Sequence, residues 1–284
     1  MTTAVPTSSI ARRSSSRTFA PTDGAARGWT IESDRRCVIH RDSQTRQLDS
    51  AVTVEAPVEP VANRVPNHRD DQFWTVTTAI EVLLASAAVV LDLLVPTFVL
   101  LALAGVSLLI RHQGFSSLGF HRVVAHSHLA WKMLAFAAMW SLFQLSVVMP
   151  LANHLSGKEQ DLGDFKDLEG NLGLLVALLA LSWTLAAVGE ETAYRGYVQT
   201  RMVQLFGSGR AAVVAAVVVS SLLFGLAHTE QGFVGVVATA IDAVAFSVLR
   251  YRYRTLWASV FAHGFNNTIG FVAFFFVGPI HGFW

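Results

Sequence analysis

Long apolar stretches separated by short polar segments make up the chain from Phe73 onward. A bilayer core of about 30 Å requires roughly 20 apolar residues in a helix. We predict seven membrane-spanning helices, at residues 73–91, 93–110, 130–151, 172–198, 211–227, 233–249 and 256–277. Only Asp92 separates the first two, with Pro96 just beyond, so they form either a tight hairpin or one broken element. Because so many charge-poor helices would leave a soluble protein without polar faces to meet water, the pattern predicts an all-α polytopic membrane bundle of about seven helices.

The composition agrees with a membrane protein. Hydrophobic residues make up 52% of the 284 residues and charged residues only 14%. Soluble domains average about 25% charged residues, so the excess apolar surface is expected to face membrane lipids. The net charge of +1 gives no reason to expect nucleic acid as a partner. The one cysteine, Cys37, excludes an intrachain disulfide, and the composition leaves the oligomeric state open.

The first 70 residues differ in character from the rest of the chain. Ten arginines and eight acidic residues are scattered among Pro, Ser and Thr without sustained periodicity. Such a segment cannot bury enough apolar area to offset the entropy of ordering it. We therefore expect residues 1–70 to be a mostly disordered cytoplasmic tail and residues 71–284 to form the transmembrane domain.

Basic residues mark three of the connecting loops. They are Arg111 and Arg122, then Arg201 and Arg210, and finally Arg250, Arg252 and Arg254. Segment 152–170 instead contains five acidic residues and two lysines. Cytoplasmic loops carry an excess of Lys and Arg, so the basic loops and the N-terminal tail are expected in the cytoplasm and segment 152–170 outside. The expected location is the plasma membrane.

Segment 111–132 is too polar to span a bilayer. Its apolar residues lie among basic ones, which favours either a helix lying at the membrane surface or an ordinary connecting loop. His121, His126 and His128 have no carboxylate or cysteine at a metal-binding spacing and are interpreted as interfacial.

Three of the predicted helices contain pairs of residues one helical turn apart. The pairs are Glu191 with Arg195, Phe224 with His228 and His263 with Asn267. An ionisable side chain inside a membrane is a candidate functional residue, because partners must offset its desolvation. Together the three helices can supply a carboxylate, two imidazoles and an amide to one cavity.

The adjacent carboxylates Glu190 and Glu191 are expected to differ in role. Glu191 and Arg195 share one helix face and are interpreted as a supporting ion pair. Glu190 points about 100° away, at 3.6 residues per turn, and is left free for chemistry. Asp242 lies in the middle of the sixth stretch, where it bonds a neighbouring helix or faces a water-filled cavity.

Three short motifs occur in order along these helices. They are E-E-x-x-x-R as "EETAYR", F-x-x-x-H as "FGLAH" and H-x-x-x-N as "HGFNN". Their order and spacing resemble the CAAX prenyl endopeptidase and bacteriocin-processing (CPBP) intramembrane proteases, also called the Abi family. The resemblance covers about residues 114–267, and "GFSSLGF" is similar to the segment that precedes the family's core. We expect the protease core at about residues 114–277.

The resemblance implies a role for each motif residue. Glu190 would be the general base that activates a water and His228 its partner, while His263 and Asn267 would stabilise the oxyanion. The neighbouring ion pair would hold the glutamate helix in place. The expected activity is that of a CAAX-type intramembrane endopeptidase acting on a membrane-bound or lipidated peptide.

Zinc is the one cofactor that these residues suggest. Glu190, His228 and His263 make a plausible His/His/carboxylate zinc site with one open position. A glutamate–histidine mechanism needs no metal, and we slightly prefer it because Asn267 is a poor zinc ligand and a good oxyanion donor.

Two other functions are compatible with the same residues. One is a non-catalytic scaffold or immunity factor that kept the fold, and the other is a proton-coupled transporter, since intramembrane Glu and His also relay protons. A further difficulty is depth. If every helix runs straight across the bilayer, Glu190 and His263 lie near the cytoplasmic side and His228 near the opposite side, so the three do not meet.

Overall fold

The computed structural model describes residues 68–207 and 209–283. The predicted disordered tail lies outside the described residues, except for its last three positions, and so does Cys37.

The described residues form helices and contain no β-strand. The seven long helices are α1 His68–Val90, α2 Pro96–Ile110, α3 His126–Ser156, α4 Leu172–Phe206, α5 Arg210–Leu226, α6 Gly232–Tyr253 and α7 Leu256–Val277. Five of them, α1, α3, α4, α6 and α7, are long and apolar enough to cross a membrane. The predicted helical membrane bundle is confirmed at this level.

Helices α2 and α5 are apolar but shorter than the other five. They contain 15 and 17 residues, which corresponds to roughly 22 and 25 Å at 1.5 Å per residue. A straight helix of that length is shorter than a bilayer core of about 30 Å. The prediction of seven full spans therefore holds for five helices by length, and α2 and α5 remain candidates.

The first two helices form a tight hairpin rather than one broken element. Between them, Asp92 and Leu94 adopt left-handed backbone conformations, with φ values of 48° and 56°. Pro96 then begins α2, where its missing N–H is not needed. The hairpin alternative is thus the right one.

The connection from α2 to α3 is not a surface helix. It contains one short 3₁₀ turn, Phe115–Leu118, and irregular backbone up to the start of α3. Leu118 and Val123 are buried, whereas Phe115 and Val124 are exposed. The segment is therefore a loop anchored by two apolar side chains.

Helix α4 packs against both α2 and α7 and extends well beyond the predicted end at residue 198. The reason is tertiary. Arg201 and Met202 look like loop residues in the sequence, but each is only 1% exposed. Arg201 donates hydrogen bonds to Ser107 Oγ of α2, at 3.2 Å from Nε and 2.8 Å from Nη2, and pairs with Glu81 of α1 at 3.0 Å.

Two stretches of the bundle have wider, π-type winding. They are Gln144–Val148 in α3 and Ser182–Val198 in α4. Hydrogen bonds in such a helix run from residue i to i+5, and the geometry is frequent at functional sites. Both stretches contribute a polar side chain to one cavity, Gln144 from α3 and Glu190 from α4.

Candidate active site

A cavity of about 350 Å³ lies among α3, α4, α6 and α7. Polar side chains line part of its wall, and apolar side chains such as Phe165, Phe271 and Phe274 line the rest. Its charged and amide-bearing side chains include Glu190, His228, Asp242, His263, Asn266 and Asn267. The four predicted catalytic residues therefore meet in one space.

The expected mismatch in depth does not occur. Helix α4 continues to Phe206, so Glu190 lies in the middle of the helix. Helix α5 ends at Leu226, and His228 follows directly. Measured along their helix axes, Glu190 and His228 therefore both lie roughly 25 Å from the α4–α5 connection. The difficulty that straight helices raised came from placing the end of α4 too early, at residue 198 instead of Phe206.

Glycine positions allow the helices around the cavity to approach closely. A Cβ atom at Gly225 of α5 would lie 2.6 Å from the Val236 carbonyl oxygen of α6. One at Gly264 of α7 would lie 2.7 Å from the ring of Trp183. Small residues at such positions are typical of membrane helix interfaces. They let α5, which precedes His228, pack closely on α6, and α7, which carries His263, pack closely on α4.

Glu190 and His263 face each other across a short gap. Glu190 Oε2 is 3.9 Å from His263 Nε2, and their side chains are 16% and 6% exposed. This distance is too long for a hydrogen bond. Glu190 has no closer ionic partner among the described residues, so its carboxylate is available in the cavity.

Glu191 and Arg195 form the ion pair that the sequence predicts. Glu191 Oε1 is 3.2 Å from Arg195 Nη1, and both side chains are almost fully buried. The guanidinium of Arg195 also lies over the ring of Phe224, 4.2 Å from its centroid. The carbonyl oxygen of Arg195 accepts a hydrogen bond from Arg250 of α6.

Glu191 has a second contact that the sequence does not reveal. Its Oε1 lies 2.9 Å from His263 Nδ1. A carboxylate only accepts hydrogen bonds, so Nδ1 carries the proton and Nε2 is turned toward Glu190. Phe246 stacks on the same imidazole, with ring centroids 5.2 Å apart. The ion pair thus also orients His263.

His228 is oriented by the backbone. Its Nδ1 lies 2.8 Å from the carbonyl oxygen of Phe224, one turn earlier. The carbonyl accepts, so Nδ1 is the protonated nitrogen, and Nε2 of the neutral ring is an acceptor. The ring of Phe224 packs beside it, with centroids 4.7 Å apart. The F-x-x-x-H spacing therefore lets one residue, Phe224, supply both the carbonyl oxygen that accepts from His228 and the ring that packs beside it.

Asn267 lies one turn after His263 on α7, and both line the cavity. The preceding residue, Asn266, accepts a hydrogen bond from Ser141 of α3 at 2.9 Å. Trp183 of α4 donates to Thr268 at 3.1 Å. Helix α7 is thus tied to both α3 and α4 around Asn267.

Asp242 also lines the cavity and bonds to α3. Trp140 Nε1 and Gln144 Nε2 both donate to its Oδ1 at 2.5 Å. Sequence reasoning identified Asp242 but not its two partners, which are about a hundred positions away in the chain and outside the motifs.

The suggested zinc ligands do not form a ligand set in this geometry. Among the described residues, no three His, Cys, Asp or Glu side chains lie close enough together to hold a metal ion. Of the three candidates, Glu190 and His263 are 3.9 Å apart. A four-coordinate zinc site needs ligands at about 2.0–2.2 Å from one ion.

Residues 172–269 match the family profile described as Type II CAAX prenyl endopeptidase Rce1-like. No curated protein and no solved structure matches the chain. The matched range runs from the start of α4 to within α7 and contains all three motifs. The match confirms the resemblance that the motifs predicted: residues 172–269 are similar to the Rce1-like type II CAAX prenyl endopeptidases.

Proposed function

We propose that this protein is an intramembrane endopeptidase that hydrolyses a peptide bond of a membrane-associated or lipidated substrate with a glutamate-activated water. The observation that carries the proposal is the convergence of Glu190, His228, His263 and Asn267 on one cavity inside an apolar bundle. The family match supports the reaction class.

The base of the proposed reaction is Glu190. A water in the cavity between Glu190 and His228 gives a proton to the Glu190 carboxylate, and its oxygen attacks the substrate carbonyl carbon. His228 Nε2 accepts the water's second O–H, since Nδ1 is bonded to a carbonyl. General-base catalysis of this kind contributes about 10²–10⁴-fold to the rate.

The oxyanion of the tetrahedral intermediate requires donors. Asn267 provides an amide N–H, and His263 provides Nε2–H when its ring is an imidazolium with Nδ1–H bonded to Glu191. Donors that are already oriented stabilise a developing charge strongly in a low-dielectric site. The intermediate then collapses, the C–N bond breaks, and the proton on Glu190 passes to the leaving amine nitrogen.

Membrane lipids and a membrane-bound peptide are the proposed partners. Five helices of the described residues are long and apolar enough to cross a membrane. We propose the plasma membrane as the location and a cytoplasmic N-terminal tail, because the loops with excess arginine lie at one end of the predicted topology.

A non-catalytic scaffold or immunity factor is the main alternative. Such a protein has no need for a cavity that brings a free carboxylate, two imidazoles and an amide together. A proton-coupled transporter uses similar groups, but transporter folds commonly show internal repeats, and none is visible in the apolar part of the sequence.

Peptide profiles of cells test the proposal without knowledge of the substrate. Cells expressing the wild-type chain are compared by mass spectrometry with cells expressing Glu190→Gln at equal abundance. We expect membrane-derived fragments that appear only with the wild type. Identical fragment profiles in the two strains would refute the proposed peptidase activity.

A further inference from the structure

Arg250, near the end of α6, binds α4 at three points. Its guanidinium donates to the backbone carbonyl oxygen of Arg195, to Gln199 Oε1 at 3.1 Å and to Thr200 Oγ1 at 2.8 Å. The side chain is half-buried. All three acceptors are uncharged, and the charge of Glu191 adds a longer-range attraction. These bonds fix how the end of α6 meets the helix that carries both glutamates.

The Arg195 carbonyl lies where the backbone hydrogen bonds of α4 change register. The N–H of Gln199 donates to the carbonyl oxygen of Tyr194, five residues earlier, as in a π-type helix. In an α-helix the same N–H would donate to Arg195, four residues earlier. Winding with bonds to the fourth residue back resumes from Gln199 onward, so the change of register passes over the Arg195 carbonyl. The Arg250 guanidinium takes the place of the missing backbone donor.

The chain directly after this change of register is anchored to other helices. Gln199 is fully buried, and its side-chain amide donates to Ser220 of α5 at 3.1 Å and to Ser247 of α6 at 3.0 Å. The Oε1 atom of Gln199 accepts from Arg250. Arg250 therefore bonds to α4 on both sides of the change, at Arg195 before it and at Gln199 after it.

The winding of α4 determines where Glu190 points. Glu190 lies in the π-type stretch Ser182–Val198, whereas the anchored end of α4 is α-helical. Each residue of an α-helix turns the chain by about 100°, so loss of the extra residue in the wide turn would rotate Glu190 relative to that end. Glu190 Oε2 lies 3.9 Å from His263 Nε2. A misplacement of about 1 Å at a reacting group can cost about 10²-fold in rate.

We propose that Arg250 is a positioning residue of the candidate active site: it holds the change from π-type to α-helical winding in α4 and thereby keeps Glu190 directed into the cavity. This inference rests on the proposed peptidase function. Arg250 lies outside the wall of the cavity, so its effect passes through the backbone of α4. Lysine is a poor substitute, because a compact ammonium does not span a carbonyl, an amide and a hydroxyl as the planar guanidinium does.

Cleavage kinetics of the full-length protein in lipid nanodiscs test this role with an acyl-anchored synthetic peptide. We expect Arg250→Ala to lower kcat by about 10- to 100-fold and to change KM by less than about twofold, because the cavity wall that holds the peptide is unchanged. Guanidinium chloride at millimolar concentration should restore part of the rate, whereas sodium chloride at the same concentration should not. Arg252→Ala is the matched control: Arg252 is exposed on the same helix, and its variant should behave as the wild type in both salts.

Nuclear magnetic resonance observes the Arg195 carbonyl directly. The dipeptide Arg–Gly occurs twice in the sequence, at Arg27–Gly28 and at Arg195–Gly196. Protein labelled with ¹³C at the arginine carbonyl and with ¹⁵N at glycine therefore gives two signals in an HNCO spectrum, and Gly28→Ala removes one of them and so assigns both. A carbonyl carbon that loses a hydrogen bond shifts upfield. We expect the Arg195 signal to move upfield in Arg250→Ala and to move back with guanidinium, while the Arg27 signal stays in place.

A wild-type kcat in Arg250→Ala, or an Arg195 signal that does not shift, would overturn the inference. A loss of rate that guanidinium leaves unchanged, together with a lower Tm, would give Arg250 a structural role only and would overturn it as well. If Arg250→Ala does not fold, Arg250→Lys replaces it, with the same upfield shift and lower kcat expected and wild-type values as the refuting result.

The two measurements separate this inference from the proposed function. If the wild type cleaves no peptide, or if Glu190→Gln cleaves as the wild type does, the proposed function fails. The Arg195 signal then still tests whether Arg250 holds the winding of α4: an upfield shift in Arg250→Ala supports this, and an unshifted signal refutes it.

Discussion

The buried ion pair of α4 allows a stability prediction that depends on its geometry. Glu191 is fully buried, Arg195 is 1% exposed, and the two are 3.2 Å apart. Removal of one partner from a buried pair leaves an uncompensated charge and costs about 3–5 kcal/mol, whereas replacement of both by groups of similar volume is often neutral. Glu191→Gln and Arg195→Met keep the shapes of the side chains and remove one charge each.

We expect each single variant to lose about 3–5 kcal/mol of unfolding free energy. For 150–250 residues this loss corresponds to a fall in Tm of roughly 6–20 °C. The double variant Glu191→Gln/Arg195→Met has no charge left in the pair, and glutamine Oε1 still accepts from His263 Nδ1. We therefore expect the double variant to be more stable than either single variant.

Thermal unfolding of the full chain in detergent micelles, followed by tryptophan fluorescence, measures the four proteins of this cycle. The interaction energy is the departure of the double variant from the sum of the single ones. Additive losses, with the double variant the least stable of the four, would show that the pair is not coupled. In that case the assignment of Glu191 and Arg195 as a mutually compensating pair would be wrong.

Three further predictions concern packing, metal and topology. Gly225→Ala should destabilise the protein by about 1–3 kcal/mol, because the new Cβ atom would lie 2.6 Å from the Val236 carbonyl oxygen. Gly105→Ala is the control in the same thermal assay. A Cβ atom at Gly105 would have no neighbour within 4 Å, so this variant should be neutral or slightly stabilising. Peptide cleavage should survive dialysis against a zinc chelator; loss of activity that zinc alone restores would contradict the metal-free mechanism. A membrane-impermeant maleimide added to intact cells should leave Cys37 of the wild type unlabelled. It should label Glu159→Cys in a Cys37→Ser background, because Glu159 is exposed. The reverse pattern would invert the proposed topology.

Much of the bundle follows from hydropathy alone. The predicted stretch 256–277 coincides with α7, since a helix surrounded by lipid and apolar neighbours is apolar along its whole length. The end of α4 could not be found in this way. Its last turns contain Gln199 and Arg201, which look like loop residues in the sequence but are buried through hydrogen bonds to Ser247 and Ser107.

Some features of the candidate site can be predicted from short sequence motifs, and others depend on contacts between distant parts of the chain. The motif spacings identify Glu191, His228 and His263 because residues one turn apart share a helix face, and Glu190 follows as the adjacent carboxylate that points away from that face. The bond from Glu191 to His263 joins positions 72 apart in the chain, and no local pattern encodes it. The partners of Asp242 come from α3 and are likewise invisible until the helices are packed.

The central claim is that Glu190 activates the water that cleaves the peptide bond. The direct test is single-turnover cleavage of a membrane-anchored peptide in H₂¹⁸O by purified, reconstituted protein, with product mass as the readout. We predict one ¹⁸O atom in the new C-terminal carboxyl group with the wild type. With Glu190→Gln, which should retain the wild-type melting profile, we predict a rate lower by about 10²-fold or more. Cleavage by Glu190→Gln at the wild-type rate would contradict the claim.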